Sequence, residues 1–267
     1  MPQNSGVGGS RLAATVLLVR DGRQGLEVWV QERVSAMPNY PGMTVFPGGG
    51  VDRRDFALVD ENEDGVEDLW SGRPLEDTAD VLGVPTQQAR ALVFAAVREL
   101  FEETGTLLAV HRNRTTVADA TPFHADRLAL ESHRLSLTQV LHRGKLRVHS
   151  DMLRPWARWV GTSERGNTFD NTSFLAVHPV GQEPDGQSSE TDSAGWFPPS
   201  LLLDGWRTGL VRLVIPTWAQ LKRLADCRTV AEALAEAEHS DMTPVVGDPV
   251  DDPRYREFFT IDRPDRI

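Results

Sequence analysis

The sequence predicts an α+β fold, a mixed β-sheet held between helical layers (α/β/α), with additional helices toward the C-terminus. Three observations lead there. Strand-length apolar runs and segments of helical period are mixed along the chain without the strict βαβ rhythm of an all-parallel sheet. The 267 residues are 40% hydrophobic, enough for a sizeable core. No internal repeat divides the chain, so residues 1–267 are expected to form a single domain ending in a proline- and charge-rich tail at 239–267.

Residues 11–20 and 26–33 read as two strands, separated by the turn signal Asp21-Gly22. A loop at 34–42 leads to a short strand at 43–46, which runs into Pro47-Gly48-Gly49-Gly50. Residues 56–85 are acidic, with few apolar residues and one tryptophan, Trp70, and are expected to be a solvated insertion with room for a short helix. The clearest helix spans 87–104, with Thr86 as N-cap, Gly105 as stop, and Val93, Val97 and Leu100 as its buried stripe. Another helix is expected over 125–143, and strands over 153–160 and 172–178. Residues 181–195 read as a polar loop ending at Trp196. Short helices follow at 199–207, 217–226 and 229–238, the last two capped by Thr217 and Thr229. Tyr255, Phe258 and Phe259 are candidate anchors for the tail, and Trp156, Trp159 and Trp196 are expected to serve the core rather than to stack on a base.

Charge and composition narrow the function. The net charge is −11 and no Lys/Arg cluster stands out, which argues against a nucleic-acid partner. No apolar run reaches the roughly 18–20 residues of a membrane span, and the first residues lack the basic start and apolar stretch of a signal peptide. Cys227, the lone cysteine, has no partner for an internal disulfide, so a cytoplasmic location is expected. The seven histidines show no HxxxH or HxH pairing and are read as structural. An acidic protein can still act on an anionic substrate when a divalent cation stands between them, so grouped carboxylates are the feature to seek.

The 87–104 helix carries such a group. Glu99, Glu102 and Glu103 stand at i, i+3 and i+4, on one face. They crowd the helix's C-terminal end, where the dipole disfavours acids and like charges repel. Local stability would not select that arrangement, whereas bound Mg²⁺ or Mn²⁺, which prefers carboxylate oxygens, would resolve it. Arg98, four residues before Glu102, is placed to orient it. Taken alone, such a cluster reads more readily as a set of surface acids, and its surroundings decide.

Residues 98–105, Arg-Glu-Leu-Phe-Glu-Glu-Thr-Gly, resemble the second half of the Nudix box, R-E-U-x-E-E-x-G-U, where U is a bulky apolar residue. The first half, a glycine followed after five residues by an acid, is similar to Gly49 and Asp55 within Phe46-Pro47-Gly48-Gly49. Asp55 replaces the usual Glu, and Thr106 stands at an aliphatic position. The long acidic insertion separates the two halves, and loop lengthening of this kind is thermodynamically tolerable. The resemblance covers about residues 11–238 and implies a Nudix fold and hydrolysis of a nucleoside diphosphate linked to another moiety. In that reading Glu99 and Glu103 bind Mg²⁺ or Mn²⁺ with a carbonyl of Gly48-Gly49, and Glu102 is either a further ligand or the general base. Glu190, in a later loop, is the other candidate base, and Arg33, Phe46 and Gly48 are candidate substrate contacts. Arg33 is equally a candidate for a surface ion pair.

The insertion, together with Arg33, Gly42 and Phe46-Pro47-Gly48-Gly49, is similar to the coenzyme A diphosphatase branch. So are Leu153-Arg154-Pro155-Trp156, Phe169-Asp170, Glu190 before Trp196, and Pro216-Thr217. Two arginines found in relatives are missing, one at the position of Pro38 and one just after Asp170. The resemblance implies coenzyme A or an acyl-CoA as substrate, with NADH, ADP-ribose or an oxidised nucleotide as alternatives. A non-catalytic ligand sensor is disfavoured because every box glutamate is present. A homodimer is suggested by family analogy alone.

Overall fold

Residues 12–19 are apolar at every position but Thr15, as expected of a strand covered on both faces. In the computed structural model, which describes residues 5–35, 40–56, 69–163, 165–188 and 191–262, this segment lies in the central strand β1 (Arg11–Gly22). It is followed by β2 (Gly25–Arg33), β3 (Thr44–Val45), β4 (Gly48–Gly50), β5 (Trp70–Ser71), α1 (Leu75–Leu82) and α2 (Thr86–Thr104). Next come β6 (Ala109–His111), α3 (His124–Glu131), α4 (Leu137–Gly144), β7 (Leu146–His149), β8 (Arg154–Thr162), β9 (Thr168–Val177) and β10 (Thr191–Phe197). The chain closes with α5 (Pro199–Arg207), α6 (Ile215–Ala225), α7 (Val230–Ala237), β11 (Val245–Val246) and α8 (Arg256–Thr260).

The main sheet runs β10-β2-β1-β9-β8-β11, with β3 beside β2 and β4 beside β1. It is mixed: β1 pairs parallel with β9 and antiparallel with β2 and β4. Alternate residues of β1 face opposite layers. Leu12, Ala14, Val16 and Leu18 pack with α1, α2, α3 and α4. Leu17 and Val19 pack with Trp156, Leu175 and the apolar faces of α5, α6 and α7. The α+β class with a helix-covered mixed sheet and C-terminal helices is therefore what the structure shows. Among the described residues no helix is long and apolar enough to cross a membrane.

Several local expectations are corrected. Pro85, not Thr86, precedes α2 and offers no side-chain cap, and α6 starts at Ile215, two residues before Thr217. Thr229 does cap α7, accepting from the Glu232 N–H. The single helix expected over 125–143 is two. His133 adopts φ 59° in the break, and Ser136 restarts the helix through a reciprocal capping box with Gln139. Thr191–Phe197, expected to be loop, forms the edge strand β10, with Trp196 paired to Trp29 of β2. The acidic insertion is less solvated than its composition suggests. Residues 57–68 lie outside the described set, but Leu69, Ala79 and Leu82 join the core and Trp70 pairs in register with Val148. The aromatic anchors of the tail hold: Phe258 stacks on Trp206 at 5.5 Å, and Tyr255 meets Trp159 edge-on at 5.5 Å.

Candidate active site

α2 has a defined C-terminal end. Gly105 terminates it in the left-handed conformation at φ 74°, with its N–H bonded to the Phe101 carbonyl. Val93, Val97, Leu100 and Phe101 are buried against the sheet, so Arg98, Glu99, Glu102 and Glu103 are turned toward β4 and the loop after it. Small residues make that approach possible. A Cβ on Gly49 would sit 2.6 Å from the Glu99 carboxylate, and one on Gly48 would sit 2.4 Å from the Ala14 carbonyl oxygen.

Arg98 joins the two sequence halves. Its Nε and Nη2 donate to both oxygens of Asp55, each at 2.9 Å, across 43 residues of sequence. Nη2 also donates to the Gly50 carbonyl at 2.9 Å, while Nη1 reaches Glu99 at 2.7 Å and Glu102 at 3.3 Å. Both Arg98 and Asp55 are buried, so this bidentate pair is the lock that holds the glycine strand against α2. Asp55 reaches the guanidinium although it is a methylene shorter than Glu, because a 3-10 turn over Arg53–Phe56 carries it inward.

The three glutamates divide. Glu103 accepts from the Gly48 N–H at 3.1 Å and from the Gln31 amide, which fixes it beside the glycine strand. Glu99 lies between Arg98 and Gly49. Glu102 is turned onto Arg98 by one oxygen, and its Oε1 is buried without a hydrogen-bond partner. Among the described residues no three Asp, Glu, His or Cys converge as a preformed cation cage. Arg127 braces the same end of α2 from behind: it donates to the Glu102 carbonyl and forms a bidentate pair with Asp185.

Burial pushes the Glu99 carboxyl up to about 7, with Glu102 and Asp55 adding repulsion against the pull of Arg98. Glu102 is raised as well, again chiefly by burial. A carboxyl raised in the folded state keeps a proton that the unfolded chain has released. Its ionisation therefore costs stability as pH rises from its ordinary value of 4.5 through about 7. Thermal melts in chelator are expected to show a Tm that falls from pH 5 to 7.5, with a smaller fall in Glu99→Gln. Equal slopes in the two proteins would refute this assignment.

Glu99 and Glu103 open onto a cavity of about 410 Å³. Gly48, Gly49, Gly50 and Thr15 line it beside them, and Arg33 and Phe46 lie on its wall. The structure thus brings together Glu99, Glu103, Gly48, Gly49, Arg33 and Phe46. Arg98 and Glu102 stand behind that wall. Glu190 lies outside the described residues.

Other lining residues were not singled out as site residues from the sequence: Tyr40, Trp159, Gly161, Asn171 and Gln220. Asn171 is held by reciprocal hydrogen bonds with Thr15 at 3.0 and 3.1 Å. Trp156 was grouped with Trp159 as core, and it is fully buried away from the cavity, whereas Trp159 is buried yet lines it. Strand parity alone would put them on opposite faces, but the register shift between Pro155 and Ala157 brings both into the cluster on the α5–α7 side.

No family model and no curated protein matches the sequence. Among solved structures, a NUDIX hydrolase from Alicyclobacillus acidocaldarius is 27% identical and superposes with a TM-score of 0.69, over 90% of this chain and 100% of that one. The NUDIX domain of Shewanella oneidensis NrtR, solved with ADP ribose, is 15% identical over 88% of this chain and 93% of its own, at a TM-score of 0.39. A MutT NUDIX hydrolase from Burkholderia pseudomallei is 16% identical over 80% and 96%, also at 0.39. Those two scores are too low to bear on the assignment. With both halves of the box closed around Arg98, and a solved Nudix hydrolase of 27% identity matched along its whole length, the chain has the fold of the Nudix hydrolases.

Proposed function

We propose that this chain is a Nudix hydrolase that cleaves the diphosphate of coenzyme A or an acyl-CoA with the help of Mg²⁺ or Mn²⁺. One observation carries the reading. Segments that resemble the coenzyme A branch, at Arg33, Phe46-Pro47-Gly48-Gly49, Phe169 and Pro216-Thr217, are far apart in sequence but line the same cavity as Glu99 and Glu103.

The residues fit a divalent cation. Glu99 is a carboxyl that burial keeps from ionising easily, Glu102 Oε1 is buried and unpartnered, and all the side-chain donors are hard oxygens. Glu99 and Glu103, with a carbonyl of the Gly48-Gly49 segment, would hold it. When bound, the cation neutralises the diphosphate and lowers the pKa of water.

The protein's own groups do the rest. Gln31 and the Gly48 N–H hold Glu103 in place, and Arg98 orients Glu99 and Glu102. Glu102, whose carboxyl burial raises above its ordinary range, would supply a further oxygen ligand or take the proton from the attacking water; Glu190 is the alternative base. Arg33, on the cavity wall, is placed to meet a phosphate.

A substrate panel tests this. The protein is incubated with Mg²⁺ or Mn²⁺ and CoA, acetyl-CoA, NADH, ADP-ribose or 8-oxo-dGTP. The expected result is the highest kcat/KM on CoA or acetyl-CoA, with adenosine 3′,5′-bisphosphate and a 4′-phosphopantetheine product. A higher kcat/KM on NADH or ADP-ribose would replace the coenzyme A assignment. Tight binding without turnover of any compound would make the chain a ligand sensor.

A further inference from the structure

Glu102 and Glu103 stand on the last turn of α2, where a helix's final carbonyls have no partner further along it. In α2 two of those carbonyls are taken up from outside. Arg127 of α3 donates its Nε to the Glu102 carbonyl at 3.1 Å, and the Asp185 N–H donates to the Thr104 carbonyl at 2.8 Å. The two side chains then close on each other, with both Nη atoms of Arg127 2.8 Å from the Asp185 carboxylate. Arg127 is only 4% exposed. A buried cation therefore lies at the pole of α2 where the dipole is negative and the acids crowd together.

Neighbouring residues leave this contact little freedom. Gly105 has φ 74°, and a Cβ on it would sit 2.8 Å from Arg127 Nη1, so the glycine both ends α2 and admits the arginine. Three residues before Asp185, the Gln182 side chain accepts from the Leu107 N–H at 2.8 Å. It also donates to the carbonyls of Leu107 and Val117, at 3.0 and 2.6 Å. Residues 182–185 are thereby tied to the chain on both sides of Gly105. The placement matters at the other face of the helix. The Gly48 N–H reaches Glu103 at 3.1 Å, near the long end of the hydrogen-bond range. A displacement of the last turn by a few tenths of an ångström away from β4 would break it.

We propose that Arg127 and Asp185 are positioning residues for the acids. By fixing the last turn of α2 they set Glu103 against the Gly48 N–H and Glu102 against Arg98. Only the step from that placement to cation binding rests on the proposed function.

The Gly48 N–H reports the position of Glu103 with no cation present, so amide hydrogen exchange in chelator tests the placement. In Arg127→Met, exchange at Gly48 and Asp185 is expected to quicken by roughly tenfold or more, while Val16 and Leu17 of β1 keep their protection. Asp185→Asn, which leaves its own N–H in place, should quicken Gly48 to a lesser degree. Arg127→Lys, which keeps a charge and a donor, should recover part of the protection. Calorimetry with Mn²⁺ should give a dissociation constant about tenfold higher in Arg127→Met than in the wild type. Unchanged Gly48 exchange in Arg127→Met, or quickening spread equally over β1, would overturn the proposal. Failure of the cation reading would show separately, as a wild type that binds no Mn²⁺ but whose Gly48 protection still depends on Arg127.

Discussion

Glu103→Gln is expected to lower kcat/KM on the best diphosphate substrate by roughly 10²–10³-fold, with the fold intact. Glu103 is held by the Gln31 amide and the Gly48 N–H, and it faces the cavity beside Glu99. Glutamine keeps the shape and one acceptor oxygen but removes the charge that faces the diphosphate site. Because ionised acids are crowded at this end of α2, losing one relieves repulsion, so Tm in chelator should stay level or rise. Kinetics and a melt on the same preparation check both halves. A variant that loses activity together with several degrees of Tm would mean that Glu103 is structural.

Asp55→Ala should have the opposite signature. Removing Asp55 takes the bidentate partner from a guanidinium that is only 3% exposed. Breaking a buried pair from one side typically costs about 3–5 kcal/mol. Glu99 and Glu102 still touch Arg98 and soften the loss, so about 3 kcal/mol is the expected value. In a chain of this size that corresponds to a Tm drop of roughly 6–12 °C. Activity should fall too, since Arg98 would be free to pull Glu99 from Gly49. A Tm change under about 2 °C would show that the two halves of the box hold together without this pair.

These two expectations come from features that differ in how far they can be read from sequence. The helix of Glu99 and Glu103 was legible because its apolar stripe, its stop at Gly105 and its motif all lie within one stretch. The Asp55 pair was legible only through the motif; nothing local says that residues 43 apart meet. The break between α3 and α4 was missed because Leu128, Leu130, Leu135 and Leu137 continue an apolar pattern across it. The first helix ends at Glu131, His133 turns left-handed in the break, and the capping box at Ser136 starts the second helix. β10 was missed because an edge strand need not be apolar on both faces, and its polar first residues look like loop. The cavity residues of β8 and β9, Trp159, Gly161 and Asn171, were hidden for a deeper reason: which residue of one strand stands opposite which of the other is a property of two strands together.

In the proposed reaction Glu99, oriented by Arg98, and Glu103, held by Gln31 and the Gly48 N–H, would carry the cation that assists hydrolysis of a diphosphate bond. The most direct measurement is hydrolysis of CoA in Mg²⁺ and H₂¹⁸O, with mass analysis of both products, by the wild type and by a Glu99→Gln, Glu103→Gln double variant. Equal amounts of two phosphate-bearing products are expected, with one ¹⁸O atom in only one of them and no cleavage above background by the folded double variant. Cleavage that persists in the double variant, or no cleavage of CoA or any other diphosphate by the wild type, would contradict the proposed reaction.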